Sequence, residues 1–220
     1  MLLLPPLILL VLFFLLLLLP VLLILLPIRI VEAALGRLGI PGPLALLLFL
    51  ASLLGSFVNI PVLGAAEGTG RLVLMPGLQA LGPFFNAPSC PQQVLAVNIG
   101  GALVPLLICL FLLPRAPLAR TLMATAVMVL VCYLVARPVP EVGITIPTFL
   151  PPLAAVLCAF IFSPGRRAPV AYIAGVLGVL IGADLLHLAD FPPGPGFLSI
   201  GGAGVFDGIF LVGIMAALFA

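Results

Sequence analysis

The sequence predicts an all-α fold, a bundle of about seven transmembrane helices forming a single integral membrane domain over residues 1–220. Three observations carry this reading. Hydrophobic residues make up 65% of the chain and charged residues 6%, against roughly 25% charged in soluble domains. Apolar runs near the length that crosses a hydrocarbon core recur from one end of the chain to the other. The alternating pattern of a membrane barrel is absent, so backbone groups in lipid have to pair inside helices.

The spans read, in order, 4–27, 43–61, 94–113, 118–136, 147–163, 168–189 and 200–219. The first, within MLLLPPLILLVLFFLLLLLPVLLILLPIR, lacks the charged start and the small-residue cleavage site of a signal peptide, and its apolar core is too long for one. It reads as a span bent at Pro20. Proline and glycine punctuate the joints that follow: PGP at 41–43, RPVPEVG at 137–143, SPGRR at 163–167 and FPPGPG at 191–196. The sizeable loop is 62–93, which carries AAEGTGR and GPFFNAPSCPQQ.

The basic residues, all arginine, orient the bundle. Loops one, three and five hold Arg29, Arg37, Arg115, Arg120, Arg166 and Arg167, while loops two and four hold Arg71 and Arg137. By the positive-inside rule the N-terminus lies outside, the C-terminus lies in the cytoplasm and loop 62–93 faces outward. The longest basic run is Arg166-Arg167, too little for a nucleic-acid footprint. Of Cys90, Cys109, Cys132 and Cys158, only Cys90 falls in a loop. That leaves no disulfide framework, and no paired metal-binding motif is present. No cofactor is expected, and the partner expected throughout is the lipid bilayer.

The polar residues gather toward one side. Asn59 ends span two, Asn98 opens span three, and Thr145 and Thr148 open span five. Asp184 lies near the end of span six and Asp207 near the start of span seven. At 1.5 Å per residue both carboxylates sit roughly 8–10 Å beneath the outer boundary, on consecutive antiparallel helices. A lone carboxylate in the membrane costs on the order of 2.5–3.5 kcal/mol on the insertion scale. Two side by side cost more unless they share a proton or a cation. That cost makes Asp184 and Asp207 the leading candidates for function, with hydrogen-bonded helix glue as the plain alternative. Asp190, just before the FPPGPG break, reads as a solvated helix end.

Gly178 and Gly182 precede Asp184, and Gly204 and Gly208 bracket Asp207, each pair at the spacing that lets helix backbones approach. His187, the single histidine, follows Asp184 by three residues and shares its helix face. A metal centre is not expected there, because a protein-only site would want a further strong ligand. A short internal echo links NIGGALVPLLICLFLL at 98–113 with SIGGAGVFDGIFLVGI at 199–214.

The stretches GSFVNIP, NIGGALVP, YIAGVLGVLIGADLLHL and SIGGAGVFDGIFLVGIMAALFA resemble a family of prokaryotic membrane proteins defined as a domain of unknown function. The resemblance covers most of the chain after the first span. It implies the architecture and a location in the prokaryotic inner membrane, but brings no activity. Gly202-Ala203-Gly204 followed by Asp207, with Asp184 on the preceding span, looks loosely like the intramembrane aspartyl proteases of the GxGD type. Here the aspartate comes two residues later than GxGD requires. No PAL motif follows; the nearest stretch, PTFLPP at 147–152, lies upstream of both aspartates.

Three functions remain open on the sequence. In the first, Asp184 and Asp207 form the catalytic pair of an intramembrane aspartyl hydrolase, one activating water and the other polarising the scissile carbonyl of a membrane peptide. In the second, the same residues belong to a proton- or cation-coupled carrier or binder of a small solute. In either case Asn59, Asn98, Thr148 and His187 would contact the substrate or ion. The third is a non-catalytic membrane partner or assembly subunit, whose leucine-rich first span would pack on another protein or on lipid.

Overall fold

Leucine, alanine and phenylalanine runs form seven α-helices in a computed structural model, which describes residues 4–63, 73–74, 93–139, 143–190, 196–202 and 207–220. They are α1 (Leu4–Arg37), α2 (Gly42–Gly55), α3 (Val104–Leu112), α4 (Leu118–Val135), α5 (Leu150–Phe162), α6 (Arg167–Gly178) and α7 (Gly208–Phe219). Two helices carry a wide π turn: Ile99–Leu103 leads into α3, and Val179–Leu185 continues α6. The helical bundle is as expected from composition.

The helices differ from the expected span bounds in three ways. First, α1 does not end near residue 27. It runs through Pro20 and Pro27 to Arg37, so Arg29 lies on a helix rather than in a loop and pairs with Glu32 at 3.1 Å. Second, among the described residues three helical stretches are long and apolar enough to cross a membrane: Leu12–Arg37, Leu118–Val135 and Arg167–Asp190. Gly42–Gly55, Ile99–Arg115, Leu150–Phe162 and Gly208–Phe219 are apolar but shorter. Third, the ends of three expected spans are strands.

Those strands are β1 (Val58–Leu63), β3 (Gln93–Asn98) and β6 (Gly196–Ile200), joined by the two-residue β2 (Val73–Leu74). The sheet order is β2-β1-β3-β6, with β1 antiparallel to β3 and β3 parallel to β6. VNIPVL and QVLAVN are short apolar runs, the first following a helix and the second leading into one. Such runs look alike as strand or as buried helix, because neither has the length to show a period. Pro61 cannot donate to a ladder, and β2 pairs only with Val58 and Asn59, which leaves Pro61 clear of it. A separate hairpin joins β4 (Arg137–Val139) to β5 (Gly143–Thr145).

Helix α6 is the axle of the bundle. Val170, Ala171, Tyr172, Ile173, Ala174 and Val176 are all fully buried, and α3, α4, α5 and α7 pack around them. A helix apolar on every side belongs in the interior. Its small residues set the distances. A Cβ on Gly175 would press on Val212 of α7 at 2.8 Å, and one on Gly178 would press on Met128 of α4 at 2.6 Å. On α7, Gly213 leaves room for the Tyr172 ring.

This antiparallel packing sorts the charged residues. Arg37, Arg115, Arg120, Arg166 and Arg167 fall at one end of the bundle. Arg37 Nη1 donates to Leu218 O at 2.6 Å, and Arg166 Nη1 donates to Arg115 O at 2.5 Å. The sheet, the π turns and the described aspartates lie at the other end.

Candidate functional site

The site begins with two asparagines brought face to face by strand register. Asn59 on β1 pairs with Asn98 on β3, and both side chains are 0% exposed. Each is thus the last polar residue of a strand rather than part of a helix. Asn98 then works in two directions. Its Oδ1 accepts from Gly101 N at 2.8 Å, capping the π turn that starts at Ile99. Its Nδ2 donates to Ser56 O at 2.8 Å and to Asn59 Oδ1 at 3.1 Å. Ser199 on β6 donates to the same Asn59 oxygen, and Ser52 Oγ donates to Gly100 O at 2.6 Å. The result is a buried polar lattice joining α2, β1, β3 and β6. Among the described residues Asn59 Nδ2, fully buried, has no hydrogen-bond partner.

Glycines let the backbones close on this lattice. A Cβ on Gly100 would strike Ser52 O, and one on Gly101 would strike Gly201 O. Gly201 itself adopts φ 70°, the left-handed region that favours glycine. The glycine pairs of the internal echo, Gly100-Gly101 and Gly201-Gly202, therefore meet just beyond the paired parallel strands β3 and β6.

Both carboxylates border this glycine crossing. Asp184 sits in the π turn after α6, and its Oδ2 accepts from Gly201 N over a long 3.4 Å. Asp207 Cβ lies against Gly101. Asp207 is not seven residues inside a helix, as expected from a span starting at 200. It is the N-cap of α7, with Oδ2 accepting from Ile209 N at 3.0 Å. The strand 196–200 displaces the helix start to Gly208.

The remaining candidates divide. His187 is buried and turns back on its own helix, with Nδ1 2.9 Å from Ala183 O and 3.2 Å from Gly182 O. Its ring stacks at a tilt on Tyr133 of α4, 4.9 Å between centroids. A carbonyl accepts only, so Nδ1 is the donor and Nε2 is the acceptor in the neutral ring. Thr148 is exposed on the turn before α5, unlike the buried asparagines. Gly178 and Gly182 do support a close helix approach, but to α4 rather than to the last helix: a Cβ on Gly182 would strike Val129 O. Gly208 has only ordinary contacts, the nearest at 3.7 Å, and Gly204 lies outside the described residues. Among the described residues no cluster of three or more metal-type ligands forms.

Sequence reasoning missed Ser52, Ser56, Ser199, Gly100 and Gly101 as parts of the site. A signal was available: GSFVN and SIGG place serine and glycine beside the very strands that the apolar runs concealed.

Comparison with known proteins gives the family. The chain belongs to the family described as Protein of unknown function (DUF1614), which matches residues 53–219. That stretch holds the whole polar lattice except Ser52, and it leaves α1 outside. No curated protein and no solved structure matches the chain.

Proposed function

We propose that this membrane-type helical protein is a proton- or cation-coupled carrier of a small solute, with Asp184 and Asp207 as the coupling groups. The observation that carries the proposal is where the carboxylates sit. Each marks a break in a helix, the π turn after α6 and the strand-to-helix step before α7, and the two breaks meet at the Gly101–Gly201 crossing. Broken helices with half-helix termini beside polar groups are how transporters hold ions and solutes within a bilayer. Intramembrane acids and histidine mark proton and ion paths. The lattice adds an unpartnered donor, Asn59 Nδ2, which calls for an acceptor from water or solute.

An aspartyl hydrolase is the second reading, favoured by both carboxylates bordering the same Gly101–Gly201 crossing. Against it, Asp207 spends one oxygen on capping α7, and Asp184 directs one toward Gly201 N. A catalytic pair needs its oxygens on water and on the scissile carbonyl.

The test uses the full chain in proteoliposomes loaded with a pH-sensitive dye. In a screen of small solutes under an imposed proton or sodium gradient, a transported solute should cross the vesicle wall with the coupling ion, and Asp184→Asn should abolish that movement. Asp207→Asn should also abolish it while keeping the helix cap, since asparagine caps as well as aspartate. Cleavage of a membrane peptide that needs both aspartates, with no ion movement, would replace the carrier by the hydrolase.

A further inference from the structure

The end of the bundle opposite the carboxylates carries a separate inference. The α3–α4 joint brings Arg115 and, in the first turn of α4, Arg120. The α5–α6 joint brings Arg166 and Arg167. Neither joint holds an acidic residue: between residues 93 and 183 the sequence has only Glu141, which falls between β4 and β5. Among the described residues the one salt bridge is Arg29–Glu32, on α1.

The fold nevertheless brings these cations together. Arg166 Nη1 donates to Arg115 O at 2.5 Å, and the short turn Leu113–Arg115 packs on α6, whose first residue is Arg167. Two guanidinium planes are held from beneath. Arg115 lies 3.9 Å over the Phe111 ring and donates to Phe111 O at 2.7 Å. Arg167 lies 4.1 Å over Phe160, and its Nε is buried without a partner. Like charges at a membrane boundary repel each other, and no protein carboxylate in either joint offsets this. A guanidinium has five N–H donors, so each retains donors for an external acceptor.

We propose that this arginine corner binds the phosphate headgroup of an anionic phospholipid. A phosphodiester offers several acceptor oxygens that match the guanidinium fork, and its charge relieves the repulsion between the two joints. The setting favours a lipid over a soluble anion. The arginines sit at helix ends, where headgroups lie, and Leu113, Leu118, Phe160 and Ile161 beside them present exposed apolar surface for acyl chains.

Native mass spectrometry of the full chain in detergent tests this with short-chain phosphatidylglycerol, phosphatidylcholine and inorganic phosphate as probes. Phosphatidylglycerol should bind in preference to phosphatidylcholine. The double variant Arg115→Gln, Arg166→Gln should bind it about tenfold more weakly, and Arg29→Gln, outside the corner, should match the parent. Equal binding by the double variant and the parent would overturn the proposal. So would displacement of phosphatidylglycerol by the same concentration of inorganic phosphate, which would make the site one for a soluble anion. If the double variant does not fold, the parent still decides, because no preference for phosphatidylglycerol over phosphatidylcholine would also end the idea.

Discussion

Helices α1 and α6 are both apolar, yet they do opposite things. Along α1, Leu16, Leu23 and Ile24 are well over half exposed, while α6 is buried on every side from Val170 to Val176. The difference lies in side-chain size. The outer helix is rich in leucine, which meets lipid tails as readily as protein. The inner one is built from alanine, glycine and valine, which let four neighbouring helices approach. Hydropathy therefore identifies a membrane helix, while residue volume tells which helix is the axle, because lipid supplies no hydrophobic drive between helices and packing has to do so.

The largest effect that would sharpen this contrast is expected at the inner helix. Gly182→Ala places a methyl where Val129 O already lies, and overpacking of this kind costs about 1–3 kcal/mol. Thermal unfolding of the purified protein should show it, and an unchanged midpoint would mean that α4 and α6 do not touch there. Next comes the lattice. Asn59→Leu removes the acceptor shared by Asn98 and Ser199, and leaving buried donors unsatisfied should cost about 1–3 kcal/mol by the same measurement. Asp207→Ala removes the cap on α7 and should cost about 0.5–2 kcal/mol, whereas Asp207→Asn should cost almost nothing. Finally, Leu16→Ala on the exposed face of α1 should shift stability by less than about 0.5 kcal/mol. A large loss there would show that α1 is covered by a partner rather than by lipid.

Much of the bundle was legible because long apolar runs admit few readings. The arginines of the helix joints were legible too, and the fold gathers five of them at one end as their loops suggest. What escaped was the sheet. VNIPVL, QVLAVN and GFLSI each abut a helical run, and hydropathy counts a buried strand and a buried helix alike. That one omission propagated. It placed Asn59, Asn98 and Asp207 inside helices, when Asn59 lies at the start of β1, Asn98 ends β3 and Asp207 caps α7. The glycines were legible as close-packing residues but not in their partners, since GxxxG spacing names a helix face and not the helix it meets. Thr148 was proposed from its nearness to a span end, which says nothing about which way an exposed turn faces.

The bond from Arg37 to Leu218 O joins residues 181 positions apart, the last turn of the first helix to the last turn of the final one. A ribosome adds about 5–20 residues per second, so the first helix is made on the order of ten seconds or more before its latch exists. Throughout that interval α1 has only α2 to pack against, and its contact with α7 forms once synthesis has delivered the last helix.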